Sequence, residues 1–321
     1  MTGTMVRAVR RTGSAHRHCQ DRYRVISDGD RLILAVADGH GGRPYVRSGL
    51  GARMACAAAA EVLLNCPDPA QIPGAIKDRY DGLVARHLAL RPLADWELER
   101  LGGRPPAEAY GTTLLAALVG PDSTGLFQLG DGDLHALDLR GDFFPALPAD
   151  AACVGNLTTS LASGRDHVLA HFRAAWFPAP AAALVMFTDG CDGGLLRAVR
   201  ALADPEGPEE QLRELFRETA HGDDQTLLLV CSPEADGEDF RAGLGENIRR
   251  MEEKRRLQRQ ERRDRAEYAE LKSYLRLALR KAERMRRSGD PALGAYLDKL
   301  EPSFRRMNEL RERLEPTPLR D

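Results

Sequence analysis

Leu32-Ile33-Leu34-Ala35-Val36-Ala37-Asp38-Gly39-His40-Gly41-Gly42 carries six apolar residues straight into a carboxylate, a histidine and three glycines. A short continuous apolar run reads as a strand buried on both faces, and the change to glycine-rich sequence ends it sharply. A carboxylate at the end of a buried strand suits a hard divalent cation, because Mg²⁺ and Mn²⁺ prefer oxygen ligands. The glycines let backbone carbonyls and amides approach an ion or a phosphate closely. Asp38 is therefore the point on which the other acidic motifs are expected to converge.

Working outward, Met5–Arg10 reads as an opening strand and Arg11–Gln20 as a loop leading to Asp21 and a short strand at Tyr23–Ile26. Asp28-Gly29 is a hairpin turn. Val46–Leu64 is an Ala-rich helix ended by Pro67 and Pro69, and Ile72–Leu90 has helical periodicity through Ile76, Tyr80, Leu83, Val84 and His87. Pro92–Glu108, polar and rich in Gly and Pro, is expected to be a surface loop. Thr112–Val119, Thr124–Leu129 and Leu134–Leu139 are short strands joined by turns, which predicts an antiparallel meander. Asp142–Pro180 reads as irregular, with a helix at Asp166–Trp176. Ala183–Thr188 is another apolar strand, helices follow near Leu195–Ala203 and Pro208–Ala220, and Thr226–Cys231 is the last strand. This order predicts the α+β class, an antiparallel β-sandwich flanked by helices, and not alternating βαβ units.

Four acidic turns share one placement, each beside an apolar strand: Asp38-Gly39, Gly130-Asp131-Gly132-Asp133, Asp189-Gly190 and Asp223-Asp224. Asp-Gly is common in turns, and any one of these alone would be only a turn. Their recurrence at strand ends points to a shared site. Carboxylates brought together repel strongly unless a cation neutralises them, and two metal ions about 4 Å apart can activate water and clamp a phosphoryl group.

With these motifs in place, residues 1 to about 232 resemble the metal-dependent PP2C-type (PPM) Ser/Thr protein phosphatases. The matching pieces come in the family's order: Gln20-Asp21, Val36-Ala37-Asp38-Gly39-His40-Gly41-Gly42, Tyr110-Gly111-Thr112-Thr113, Leu129-Gly130-Asp131-Gly132-Asp133, Phe187-Thr188-Asp189-Gly190 and Asp223-Asp224-Gln225-Thr226. Asn156-Leu157-Thr158-Thr159-Ser160-Leu161 also resembles a bacterial subgroup. The resemblance implies hydrolysis of phosphoserine and phosphothreonine by attack of metal-bound water, with two Mn²⁺ or Mg²⁺ ions and a weaker third. By the same resemblance, Asp38 bridges the two ions, the Gly39 carbonyl serves one, and Asp189 and Asp223 hold the other. Asp131, helped by Asp192, serves the third ion, Asp21 holds metal-bound water, and His40 is the general acid, for which imidazole has a suitable pKa. His16, with Arg17 next to it, stands where an Arg of the family holds the substrate phosphate, and either residue is expected to bind it, His16 when protonated. Gln20 stands where the family has Glu and offers a metal only a neutral oxygen. The second acid of the third-ion site, expected at Gly193, has Asp192 as its nearest carboxylate.

The chain divides by texture near residue 236. The formal charge of −2 conceals 23 Lys+Arg against 30 Asp+Glu in residues 1–235 and 23 against 18 in residues 236–321. The expected domains are a phosphatase-like body, 1–235, and a charged helical or coiled-coil hairpin, 236–321, with a regulatory or docking role. Tyr268, Leu271, Leu275, Ala278, Ala282 and Met285 form a heptad seam. Ser288-Gly289-Asp290-Pro291 is a helix stop and restart, and Leu293, Leu297, Leu300, Phe304, Met307 and Leu314 continue the seam. Glu252–Arg265, with Leu257 its one apolar residue, reads as a solvated stalk.

The six cysteines form no CxxC pair, which argues against structural zinc and disulfides and fits a reducing compartment. No apolar run nears membrane-spanning length and no signal-peptide pattern opens the chain, so a cytoplasmic protein is expected. The Arg-rich run Arg249–Arg265 is interleaved with acids and reads as a solvated helix, not a nucleic-acid contact. The expected partners are a phosphoprotein substrate, a Ser/Thr kinase or its targets, and a helical partner or a second copy on the tail. A second reading keeps the fold without turnover: a scaffold whose tail binds partners. Cys191 beside Asp189 reads as a buried filler, and His87, His135, His167 and His171 as ordinary core or surface residues.

Overall fold

Strand β3 (Arg31–Ala37) is buried along six consecutive residues because its two faces belong to two different cores. Ile33, Ala35 and Ala37 pack toward helices, whereas Leu32, Leu34 and Val36 pack against a second sheet, as the alternation of side chains along a strand requires. In this computed structural model, which describes residues 4–66, 68–153, 158–191, 194–204, 212 and 222–314, the remaining strands are β1 (Met5–Arg11), β2 (Arg22–Asp28), β4 (Leu114–Val119), β5 (Thr124–Leu129), β6 (Asp133–Leu137), β7 (Arg173–Phe177), β8 (Ala183–Phe187) and β9 (Gln225–Cys231).

Two antiparallel sheets result, ordered β1-β9-β8-β6 and β2-β3-β4-β5-β7. Between them lie Leu34, Val36, Leu115, Leu184, Met186, Leu228 and Val230. Helix α1 (Ser48–Asn65) lays Ala52, Ala55 and Ala59 on the outer face of the second sheet, and α2 (Ile72–Leu90) adds Ile76, Tyr80 and Val84. The small Ala side chains let α1 lie close on the Ala-rich strands. On the first sheet, α5 (Gly194–Ala203) buries Leu196, Val199 and Leu202 and touches β8 and β9.

Three sequence expectations are corrected. Pro92–Glu108 is not an open loop: it contains α3 (Asp95–Leu101) and leads into a 3₁₀ turn at Pro106–Tyr110. Glu97 starts that helix by accepting the Ala94 amide at 2.9 Å, and it is buried because Arg47 from α1's entry reaches it. The expected helix Asp166–Trp176 ends at His171 as α4 (Arg165–His171), and Arg173–Phe177 becomes an edge strand paired with β5. The meander stops after two strands: β6 crosses to the other sheet and pairs with β8. Gly130, at φ +98°, supplies the left-handed backbone that redirects the chain there. The expected helix at 208–220 lies outside the described residues apart from Leu212.

The chain forms two compact units, Met1–Ile248 and Arg249–Asp321. The start of α6 (Glu238–Ser288) belongs to the first, where Phe240 and Leu244 are buried and Asn247 donates to the Gly141 carbonyl at 2.6 Å. In the second unit α6 turns back through α7 (Leu293–Asp298) and α8 (Glu301–Leu314). Leu275, Ala278 and Leu300 form its core with Tyr296, Phe304 and Met307 against them. Leu310 is fully buried, whereas Leu297 is 42% exposed, so the return arm follows a different stripe from the expected seam. The break between α7 and α8 shifts that phase. Asp264 is also covered, at 4% exposure, by Arg313 at 2.9 Å, so the predicted stalk is solvated only in part.

Candidate functional site

Strand registers bring the acidic turns to one edge of the sandwich. Arg22 pairs with Ala37, so Asp21 enters β2 beside the point where Asp38 leaves β3. Phe187 pairs with both Asp133 and Leu227, so the turns at 130–133, 189–190 and 223–224 share the corresponding end of the first sheet. Antiparallel pairing thus gathers residues that are distant in sequence.

The Asp38 backbone is held at three points. Thr113 N donates to Asp38 O at 2.9 Å, Thr112 Oγ1 donates to the same oxygen at 2.7 Å, and Asp38 N donates to Thr113 Oγ1 at 3.1 Å. Gly39 continues the ladder as a bridge to Thr112. Asp21 is fully buried. Its Oδ2 accepts from Thr188 Oγ1 at 2.9 Å, and Thr188 Oγ1 accepts from Thr226 N at 3.0 Å. Asp21 Oδ1 and Gln20 Oε1 are buried with no hydrogen-bond partner in the protein.

The Asp38 carboxyl contacts those of Asp21 and Asp189, and burial followed by their charges raises its pKa well above the usual carboxylate range. Burial pushes Asp21 up to about 6, opposed by Asp38 alongside it and by the Thr188 hydroxyl. Asp131 and Asp223 are also raised, first by burial and then by the nearby charge of Asp189. Crowded carboxylates of this kind favour protonation or a cation. Oxygen donors alone suit Mg²⁺ or Mn²⁺ better than zinc or copper, and the orphaned Asp21 oxygen is a free donor, so the residues fit such an ion. Among the described residues, no three Asp, Glu, His or Cys side chains close into a complete ligand cluster. Asp38 touches Asp21 and Asp189 separately, while Asp131 and Asp223 feel the charge of Asp189. Asp192 lies outside the described residues, as do Gly193, Asn156 and Leu157.

His40 packs edge-on against Tyr45, with ring centroids 4.9 Å apart, and its amide donates to Gly111 O at 3.1 Å. Burial pushes its pKa down to about 4, with the charge of Asp189 opposing. His16 Nδ1 lies 3.1 Å from Asp224 Oδ2 and 3.9 Å from Asp223 Oδ1, without hydrogen-bond geometry. A Cβ on Gly41 would come within 3.2 Å of His16 Nε2, which places that ring beside the Gly-rich turn. Arg17 is exposed.

Asp224 and Thr188 lie within the acidic motifs, but their tasks emerge only from the fold. Asp224 is 1% exposed, and its carboxylate accepts the amides of Gly13 at 2.8 Å and Gln20 at 2.5 Å. It thereby anchors the loop that delivers Gln20 and Asp21. Gly13 must be glycine, since a Cβ there would lie 2.3 Å from the Asp223 carbonyl carbon. The doubled acid Asp223-Asp224 was the available signal: one side chain faces out and its neighbour faces in. Cys191 is buried with its thiol pushed up to about 12 by burial, as suits a filler.

The family model described as Protein phosphatase 2C matches residues 11–228. No curated protein matches the chain with significant similarity. Among solved structures, the serine/threonine phosphatase Stp1 from Staphylococcus aureus is similar at 16% identity over 72% of this chain and 96% of that one, with a TM-score of 0.51. PppA, a component of the type VI secretion system regulation of Pseudomonas aeruginosa, is similar at 17% identity over 71% of this chain and 97% of that one, with a TM-score of 0.50. The catalytic domain of the phosphatase PstP, solved in complex with two manganese ions, covers 71% of this chain and 97% of its own at 17% identity and a TM-score of 0.49. At these identities the likeness is one of fold.

Proposed function

The chain belongs to the protein phosphatase 2C family, and from that premise we propose that it hydrolyses phosphoserine and phosphothreonine in proteins, dependent on Mn²⁺ or Mg²⁺. The observation that carries this reading is the contact of Asp38 with buried Asp21 on one side and exposed Asp189 on the other, with one Asp21 oxygen left without a partner. Asp38, Asp21 and Asp189 would hold the ions, joined by Asp223, the Gly39 carbonyl and, for a third ion, Asp131 with Asp192. When bound, the ions supply Lewis acidity at the phosphoryl group and lower the pKa of water.

The chain's own residues then have distinct tasks. Thr112 and Thr113 fix the Asp38 backbone, and Thr188 orients Asp21. His40 donates a proton to the leaving seryl or threonyl oxygen. Its neutral resting state is reversed by a dianionic phosphate alongside, which raises an imidazole pKa. His16 and Arg17 bind the phosphate at the mouth, His16 when protonated. The expected substrates are targets of a Ser/Thr kinase, and residues 249–321 serve as the helical docking or self-association module. Among the described residues no helix is long and apolar enough to cross a membrane.

Hydrolysis of a phosphopeptide with Mn²⁺, with and without chelator, tests the reading. Chelator-sensitive turnover is expected, and Asp38→Asn and Asp223→Asn are each expected to abolish it. A second reading, a scaffold without turnover, is favoured by neutral Gln20 and by the position of His16, whose ring faces Asp224 at 3.1 Å. Absence of any chelator-sensitive hydrolysis would establish that reading in place of the first.

A further inference from the structure

Within residues 249–321, α6 has two apolar sides. Leu275, Ala278 and Ala282 are buried, but Tyr274 is 51% and Leu277 62% exposed. These last two are three residues apart and so are neighbours on one helix face. With Tyr296 of α7 they line an open groove of about 910 Å³. Clustered exposure of this kind marks a contact surface more than scattered single residues do.

The rim is cationic. Arg280, Lys281, Arg284 and Arg287 line the groove against one acid, Glu283. Glu283 already serves Arg286 and Arg287, each at 3.1 Å, and Lys281 stands over the Tyr296 ring at 4.8 Å. Arg280 and Arg284, both lining the groove, have no acidic partner among the described residues. The occupant must therefore supply negative charge around an apolar centre. A second copy of this chain docking face to face would oppose like charges. A nucleic acid would satisfy the cations and could stack on Tyr274, but it offers nothing to Leu277.

We propose that this face of α6 and α7 binds an acidic amphipathic segment of a partner protein, with an apolar side chain seated among Tyr274, Leu277 and Tyr296 and carboxylates on Arg280 and Arg284. Recognition then combines a helix-in-groove apolar anchor with charge pairing.

The full-length protein is titrated into a fluorescein-labelled helical peptide of Glu and Leu at i,i+4 spacing, and anisotropy is read. Saturable, salt-sensitive binding is expected, weakened about tenfold by Leu277→Ser, by the pair Arg280→Glu and Arg284→Glu, and by Leu→Gln changes in the peptide. Circular dichroism of the variants should match the parent. Should Leu277→Ser misfold, the charge-reversed pair and the altered peptide decide. Hydrolysis of a small phosphate ester by the variants should equal that of the parent, so the binding result stands whether or not the phosphatase reading holds. No binding, or binding indifferent to these changes, overturns the proposal. So does tighter binding to phosphatidylserine vesicles or an oligonucleotide than to the peptide, or a dimer in ultracentrifugation that Leu277→Ser dissociates.

Discussion

Thr188 Oγ1 donates a 2.9 Å hydrogen bond to Asp21 Oδ2, joining the end of one sheet to the entry of the other at the candidate site. Because Asp21 is fully buried, this hydroxyl is one of the few groups that make its charge tolerable. Thr188→Val keeps the shape and removes both the donor to Asp21 and the acceptor for the Thr226 amide. The variant is expected to lose about 1–3 kcal/mol in denaturant unfolding. It should also bind Mn²⁺ more weakly in calorimetric titration.

Gln20 offers a second, opposite test. Its Oε1 is buried without a partner next to the Asp-Gly-His-Gly-Gly turn. Gln20→Glu adds a negative oxygen there. With Mn²⁺ present it should tighten metal binding by about tenfold, or ~1.4 kcal/mol. In chelator the same variant should melt at a lower temperature than the parent, because another carboxylate then joins Asp21 and Asp38 with no cation to offset it. A variant that melts higher in chelator would contradict the electrostatic account.

Asp224 holds the amides of Gly13 and Gln20 through its two carboxylate oxygens. Asp224→Ala leaves both amides without an acceptor, at roughly 1–3 kcal/mol for each unsatisfied group. Hydrogen exchange at residues 13–20 is expected to accelerate, while exchange in β4 and β5 stays slow. Asp224→Asn, which keeps one acceptor oxygen, should show a smaller effect.

Away from the site, Arg47 and Glu97 form a two-pronged pair at 2.7 and 2.6 Å, with Arg47 also donating to the Tyr110 hydroxyl at 2.8 Å. The Arg47 guanidinium holds the Glu97 carboxyl below its ordinary pKa of 4.5. A depressed carboxylate pKa stabilises the fold fully above the unfolded-state value, and that stability is lost as pH falls through the folded value. Unfolding free energy should therefore decline below about pH 4.5 in the parent. Glu97→Gln should lack this component and cost about 1–3 kcal/mol at pH 7, because half-buried Arg47 loses its charged partner but keeps the Tyr110 hydroxyl and the Arg91 and Pro92 carbonyls. Urea titrations at several pH values measure both.

Much of the fold was legible residue by residue. The helix at Ile72–Leu90 and the strand at Thr124–Leu129 stand where apolar periodicity put them, because each buries a face set by local spacing. Strand partners were less legible. β7 takes the place beside β5 that the expected meander gave to β6, since short apolar strands can pair with several neighbours and the choice rests on whole-sheet closure. Pro92–Glu108 reads as a loop because Glu97 and Arg100 look solvated in sequence, while Glu97 is buried by a partner fifty residues away. The tail's seam slipped at Leu297 and Leu310 because the return arm breaks at the Lys299–Leu300 step.

By itself, the sequence determined the α+β class, the acidic turns at strand ends and the membership in the phosphatase family. These depend on local alternation, on turn chemistry and on ordered short motifs. Only the tertiary structure decided that Asp38 meets both Asp21 and Asp189, that Asp224 faces inward while Asp223 faces outward, and that one Asp21 oxygen is left unpartnered. Such pairings join segments far apart along the chain, and their strength comes from burial, which no spacing of residues encodes.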